Sequence, residues 1–132
     1  MEQTEISIIP PPNSGHSPSI KFIQELNIQM AKTNMQFFYD HITDDITWNI
    51  LTVKRLKGKD NVIEMMESNG KLPVIELKLE SIICNDLVGA VNGAVTLDNQ
   101  DRYAYCSIYT FTSSCQPLKI KEMTTYFQRL II

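Results

Sequence analysis

Apolar residues recur at every second position through four long segments of the C-terminal half: Pro73–Ile83, Leu87–Leu97, Arg102–Thr112 and Leu118–Ile131. Period two is the signature of strands with one buried face. Each segment runs to about ten residues or more, long for strands of a globular protein. The breaks fall at Asn85-Asp86, at Asp98-Asn99-Gln100-Asp101 and at Ser113-Ser114-Cys115-Gln116-Pro117, all rich in turn formers. Breaks this short join neighbours as hairpins, so the half reads as an antiparallel meander.

Before Leu72 the period changes. Ile23, Leu26 and Met30, with Phe22 beside them, mark one face of a helix running from about Ser19 to Thr33-Asn34. Ser17 or Ser19 can cap it, and Pro18 suits a helix start. Met35, Phe38, Tyr39 and Ile42 stand at i, i+3, i+4 and i+7 and predict a second, shorter helix behind Asn34. Ile46, Trp48 and Ile50 then alternate with Thr47 and Asn49, which predicts a strand. Gly58-Lys59-Asp60 opens a third helix with Val62, Ile63 and Met66 on its buried side, closed by Asn69-Gly70. Helices gathered before strands predict an α+β fold, with three N-terminal helices packed on one face of the sheet. Long strands bent around helices leave a conical hollow, a place for a small ligand. Residues 1–19, interrupted by Pro10-Pro11-Pro12, read as a flexible arm outside the core, with residues 20–132 as the domain. Ile6, Ile8 and Ile9 of the arm are free to dock on the domain or on a partner.

Composition narrows the class. The 132 residues suit one domain with a sizeable core, and the net charge is −3. Residues 1–70 carry nine acids and six bases and residues 71–132 six of each, so neither half is basic and no nucleic acid is expected. The cluster Lys54, Arg55, Lys57 and Lys59 reads as a solvated loop before a helix. Cys84, Cys106 and Cys115 are odd in number and lack metal-ligand spacing, so neither metal nor cofactor is expected. Cys106 reads as a small residue packed within a strand. The start of the chain has no apolar signal core, and no apolar run approaches the roughly 20 residues that span a bilayer. A cytoplasmic protein with reduced thiols and no membrane contact is expected.

Several stretches resemble the nuclear transport factor 2-like superfamily, in its SnoaL-like, ketosteroid-isomerase-like branch. Ile42-Thr43-Asp44-Asp45-Ile46-Thr47-Trp48 is similar to its entry into the first strand, and Gly58-Lys59-Asp60-Asn61-Val62-Ile63 to its Gly-led third helix. Tyr103–Phe111 and Leu118–Phe127 resemble its last two strands. The resemblance spans about residues 20–130. It implies a cystatin-like cone, a curved and mainly antiparallel sheet, a pocket inside the cone, and a homodimer formed through the sheet.

The same resemblance supplies chemistries to test, because this fold hosts isomerases, cyclases, dehydratases, epoxide hydrolases and non-catalytic binders. A steroid-isomerase-like site needs a carboxylate near the end of the first strand and a tyrosine on the first helix. Ile50-Leu51-Thr52-Val53 has no acid and Ser19–Lys32 no tyrosine. An epoxide-hydrolase-like site needs an Asp-Arg-Asp set. Val88–Val95 holds neither residue type, and Thr124-Thr125-Tyr126-Phe127-Gln128 is neutral. Dehydratase-like chemistry leaves Asp40, His41 and Asp45 as catalytic candidates. Their alternative is a solvated helix end, where His41 meets the carbonyl end of the dipole. The remaining pocket candidates are neutral: Trp48, Asn92, Tyr105 and Tyr126, with Tyr39 at the mouth. These groups suit binding more than proton transfer. Three readings follow: a binder of a small apolar molecule, an isomerase, cyclase or dehydratase acting on one, and a protein-interaction module with a filled cone.

Overall fold

The four period-two segments form one continuous meander of strands, β4 (Val74–Asn85), β5 (Val88–Leu97), β6 (Arg102–Phe111) and β7 (Ile120–Leu130), each antiparallel to the next. The structure, a computed structural model, describes residues 5–12, 15, 17–51, 54–69, 73–113 and 118–131. Cys115 and Gly70, singled out above, lie outside them. Asp86 and Gln100 take positive φ in the two tight turns (55° and 75°), a conformation that Asp tolerates better than most residues.

Three further strands complete a seven-stranded sheet in the order β1-β4-β5-β6-β7-β2-β3. β2 (Ile42–Ile50) runs parallel to β7, and β1 (Ser7–Ile9) runs parallel to β4, so the sheet is mainly but not wholly antiparallel. β3 (Lys54–Lys57) returns antiparallel to β2. The basic cluster, expected as a loop, is therefore largely an edge strand, where exposed lysines also discourage further strand addition. Ser7–Ile9 of the arm is hydrogen-bonded to β4, and Ile6 and Ile8 pack against the core, so the arm's isoleucines dock on the domain, one of the two options open to them.

The helices are α1 (Pro18–Ala31), α2 (Met35–Asp40) and α3 (Lys59–Asn69). Ser17 caps α1, its Oγ accepting from the Ile20 amide at 3.2 Å, with Pro18 at the first turn. Thr33, at φ 58°, breaks the chain between α1 and α2, and Asn34 caps α2 through the Phe37 amide. Ile42, expected on the helical stripe of α2, begins β2 instead. Its buried side chain serves either assignment, and pairing with Ile120 decides for the strand. Gly58, at φ 96°, donates its amide to the Ile46 carbonyl at 2.8 Å and turns the chain into α3.

The sheet curls around the helices because its ladders are interrupted. Register shifts occur at Ile42/Thr47, Val74/Glu76, Leu79/Ser81 and Thr110/Phe111. Each adds local twist and bends the strand. The concave face buries Leu77, Leu79, Val91 and Phe111 against Ile23 and Leu26 of α1 and Phe38 of α2. The result is the α+β cone that the pattern implied.

Candidate functional site

Between α1 and the concave face the packing leaves a half-open cavity of about 210 Å³. One wall is apolar, made by residues such as Leu26, Phe38, Leu77, Val95 and Met123. The other is polar but uncharged: Asn27, Trp48, Tyr105, Ser107, Tyr109 and Thr125.

These six groups are linked. Asn27 follows Ile23 by one turn on the buried face of α1. Its Nδ2 donates to the Ile23 carbonyl at 2.8 Å and to Tyr109 Oη at 3.2 Å. That fixes the amide orientation, and Asn27 Oδ1 accepts from Tyr105 Oη at 2.8 Å. Ser107 stands beside Tyr109 on the same face of β6 and favours the ionised form of the Tyr109 hydroxyl. Ser107 Oγ lies 3.2 Å from Thr125 Oγ1, which accepts from Trp48 Nε1 at 3.0 Å. A chain of neutral groups thus ties α1 to β6, β7 and β2.

Burial sets the proton affinity of the two tyrosines. It pushes Tyr105 far above the ordinary tyrosine value, with Tyr109 and Cys106 adding to the shift. It pushes Tyr109 from 10.0 up to about 12, although hydrogen bonds with Asn27 and Ser107 work in the opposite direction. Both phenols are neutral at physiological pH, so they act as hydrogen-bonding groups. Below the unfolded value both states are protonated and the full stability is present. As pH rises above it, the unfolded tyrosines ionise while the folded ones hold their protons. Stability should then fall by about 1.4 kcal/mol per pH unit for each tyrosine until the folded group ionises. Urea unfolding followed from neutral pH into this alkaline window checks it. The Tyr105→Phe/Tyr109→Phe variant should lose stability less steeply than the wild type, and equal slopes would mean that neither phenol is buried.

Of the expected binding residues, Trp48 and Tyr105 line this cavity. Asn92 and Tyr126 do not. Asn92 pairs with Cys106, and Cys106 with Tyr126, on the convex face, where both are exposed. The physical reason is parity. Val91 is buried on the concave side, which turns its neighbour Asn92 outward. The register shift between Thr110/Glu122 and Phe111/Ile120 brings Met123 and Thr125 inward and Tyr126 out. Tyr39 is exposed, away from the cavity lining, with the Lys59 ammonium 4.1 Å from its ring centre.

The expected catalytic residues also sit elsewhere. Asp40 is exposed and accepts from Gln36 Nε2 at 2.8 Å. Asp45 is exposed on β2. His41 packs its ring against Phe22 and Phe37, with Nδ1 2.6 Å from the Phe37 carbonyl. None of the three lines the cavity. Asn27, Ser107, Tyr109 and Thr125 were not anticipated. Two signals were available: an Asn inside the Ile23-Leu26-Met30 stripe, and the same parity for Ser107 and Tyr109 as for Tyr105.

No protein-family model matches this chain, and a comparison with curated proteins found no match. Solved structures do match. A nuclear transport factor 2-like protein of unknown function from Cytophaga hutchinsonii is 21% identical, with a TM-score of 0.63 over 83% of this chain and 98% of that one. An LEH-like epoxide hydrolase from M. tuberculosis is 12% identical, with a TM-score of 0.68 over 83% and 82%. A candidate ketosteroid isomerase from Kribbella flavida is 10% identical, with a TM-score of 0.72 over 86% and 80%. At these identities the likeness is one of fold.

Proposed function

We propose that this chain, built on the nuclear transport factor 2-like fold, binds a small apolar molecule in its cone and performs no acid–base chemistry there. The observation that carries the reading is the lining itself. A half-open cavity is walled by apolar side chains and a hydrogen-bonded set of neutral ones, and among the described residues no Asp, Glu, His, Lys or Arg lines it. General acid–base catalysis needs a titrating group within hydrogen-bond reach of the reacting atom, and the lining offers tyrosines that stay protonated. A cone packed solid would have favoured an interaction module instead. The chain has one tryptophan, and it stands in this wall, so its fluorescence reports occupancy. Small apolar molecules should change Trp48 emission saturably in the wild type. In Ala31→Phe, which fills the cavity, the change should vanish while circular dichroism stays native. Saturable binding that survives the filling would place the ligand elsewhere and defeat the reading.

The same proposal makes the protein a homodimer through the convex face of the sheet. Two adjacent rows across the four meander strands carry no charge: Ile83-Ala90-Ile108-Thr124 and Ser81-Asn92-Cys106-Tyr126. Ile83 is 67% exposed and Tyr126 42%. Charged Lys78 and Glu122 stand on the flanking rows, so the patch has the neutral centre and polar rim of an interface, and a second copy presents the same surface to a twofold axis. Sedimentation should show a dimer for the wild type and a monomer for Ile83→Lys/Ile108→Lys. A wild-type monomer at high concentration would remove this part.

We place the protein in the cytoplasm, in keeping with the free thiols of Cys84 and Cys106. Among the described residues no helix is long and apolar enough to cross a membrane.

A further inference from the structure

The hydrogen bonds of the polar wall can be counted proton by proton, and the count does not close. Asn27 uses both amide hydrogens, one on the Ile23 carbonyl and one on Tyr109 Oη. Tyr105 uses its only proton on Asn27 Oδ1. Trp48 uses its only donor on Thr125 Oγ1. What remains is the run Tyr109–Ser107–Thr125, in which three hydroxyls hold three protons. Ser107 and Thr125 share one contact, which takes one proton, and even a contact of Tyr109 with Ser107 would take only one more. At least one proton is left over whichever way the hydroxyls turn. All three residues line the cavity. A donor left unsatisfied in a buried wall is costly, so a partner for it stabilises the site.

We infer that the preferred ligand is a small neutral molecule whose apolar body carries one hydrogen-bond acceptor, which takes the surplus proton of the Tyr109–Ser107–Thr125 run. The inference rests on the binding role proposed above and names the chemistry of the ligand. Size limits it further. A dry cavity of about 150 Å³ holds a benzene ring. The 210 Å³ here therefore has room for a ring with a short substituent. Charge limits it from both sides. Among the described residues a carboxylate would find no cation in the lining to meet it, and an ammonium no anion. The acceptor is thus a carbonyl, ether or hydroxyl oxygen. A hydroxyl has the added option of donating to Tyr105 Oη, whose own proton goes to Asn27 Oδ1.

Three probes of matched size test this on the unmodified protein: acetophenone, isopropylbenzene and benzoate. Occupancy is read from the indole N–H resonance of Trp48. Each affinity is divided by that probe's partition from water into alkane, which removes the hydrophobic contribution common to the neutral pair. On this scale acetophenone should exceed isopropylbenzene by about a hundred-fold or more, since a hydrogen bond made in an apolar surrounding is worth several kcal/mol and 1.4 kcal/mol is tenfold. Its carbonyl stretching frequency should drop below the value in alkane, and benzoate should leave the resonance unmoved. Equal normalised affinities with an unshifted carbonyl would overturn the acceptor inference and leave the binding role standing. Benzoate binding above acetophenone would overturn the requirement for neutrality. A Trp48 resonance that none of the probes moves would overturn the binding role, and this inference with it.

Discussion

Asn27→Ala should cost about 3 kcal/mol of folding stability, measured by urea unfolding at neutral pH. The substitution removes one side chain but three hydrogen bonds. A net hydrogen bond is worth about 1 kcal/mol, and a buried hydroxyl left without its partner adds about 1–3 kcal/mol. Tyr105 is the group most exposed to that penalty, because the Asn27 oxygen takes its only proton. The cause can be isolated in a double-mutant cycle. Tyr105→Phe should be clearly destabilising in the wild type and nearly neutral in the Asn27→Ala background, a coupling of about 1–2 kcal/mol. Asn27→Ala within about 0.5 kcal/mol of the wild type would show that the amide does not hold the tyrosines, and the orientation of the whole polar wall would then need another source.

Gly93→Ala should be as damaging, for a backbone reason. A Cβ on Gly93 would run into the Lys78 carbonyl oxygen of the paired strand β4. That carbonyl belongs to the ladder beside the Leu79/Ser81 register shift, so it cannot retreat without opening the bulge that curls the sheet. The expected cost is about 3 kcal/mol, at the upper end for overpacking. Gly89→Ala gives the contrast. Its Cβ would first meet Ile23 Cδ1, the far end of a flexible side chain, and the expected cost is nearer 1 kcal/mol. Thermal unfolding of both variants decides the matter through their order. A smaller shift for Gly93→Ala than for Gly89→Ala would mean that the close approach of β5 to β4 is not part of the folded sheet.

Local features of the fold were legible in the sequence where neighbouring residues decide them. The segment Pro73–Ile83 became Val74–Asn85 and Leu87–Leu97 became Val88–Leu97, because alternation and turn residues act within a few positions. The Ser17 cap with Pro18, and Asn34 before α2, likewise stand where the sequence implied them. Legibility ended where a second chain segment had to intervene. Ile42 satisfied the helical stripe of Met35, Phe38 and Tyr39 as well as it satisfies a strand, and only its pairing with Ile120 separates the two. The short edge strands Ser7–Ile9 and Lys54–Lys57 carry no alternation long enough to read, and each exists because a longer neighbour offers unpaired backbone groups.

The candidate site divides the same way. Period two alone placed Tyr105 in a strand but not on a face. Trp48 was found because it alternates with Ile46 and Ile50, both buried. Tyr126 was misplaced by one position, and Thr125 was missed for the same reason: one extra residue near Lys121 reverses the parity of everything after it in β7. Asn27 looked like an ordinary polar residue of an amphipathic helix until α1 lay across β6 and set it between two phenols.

By itself, then, the sequence determined the long strands of the meander, the three helices, their order and the α+β class. These depend on residue type and on spacing along the chain. Only the tertiary structure decided which face of each strand lines the hollow, and which polar groups meet there. Side-chain parity is counted from bulges, and bulges arise from the closure of one strand on another. That information lies in pairs of residues such as Asn27 and Tyr109, distant along the chain and joined only when the cone forms.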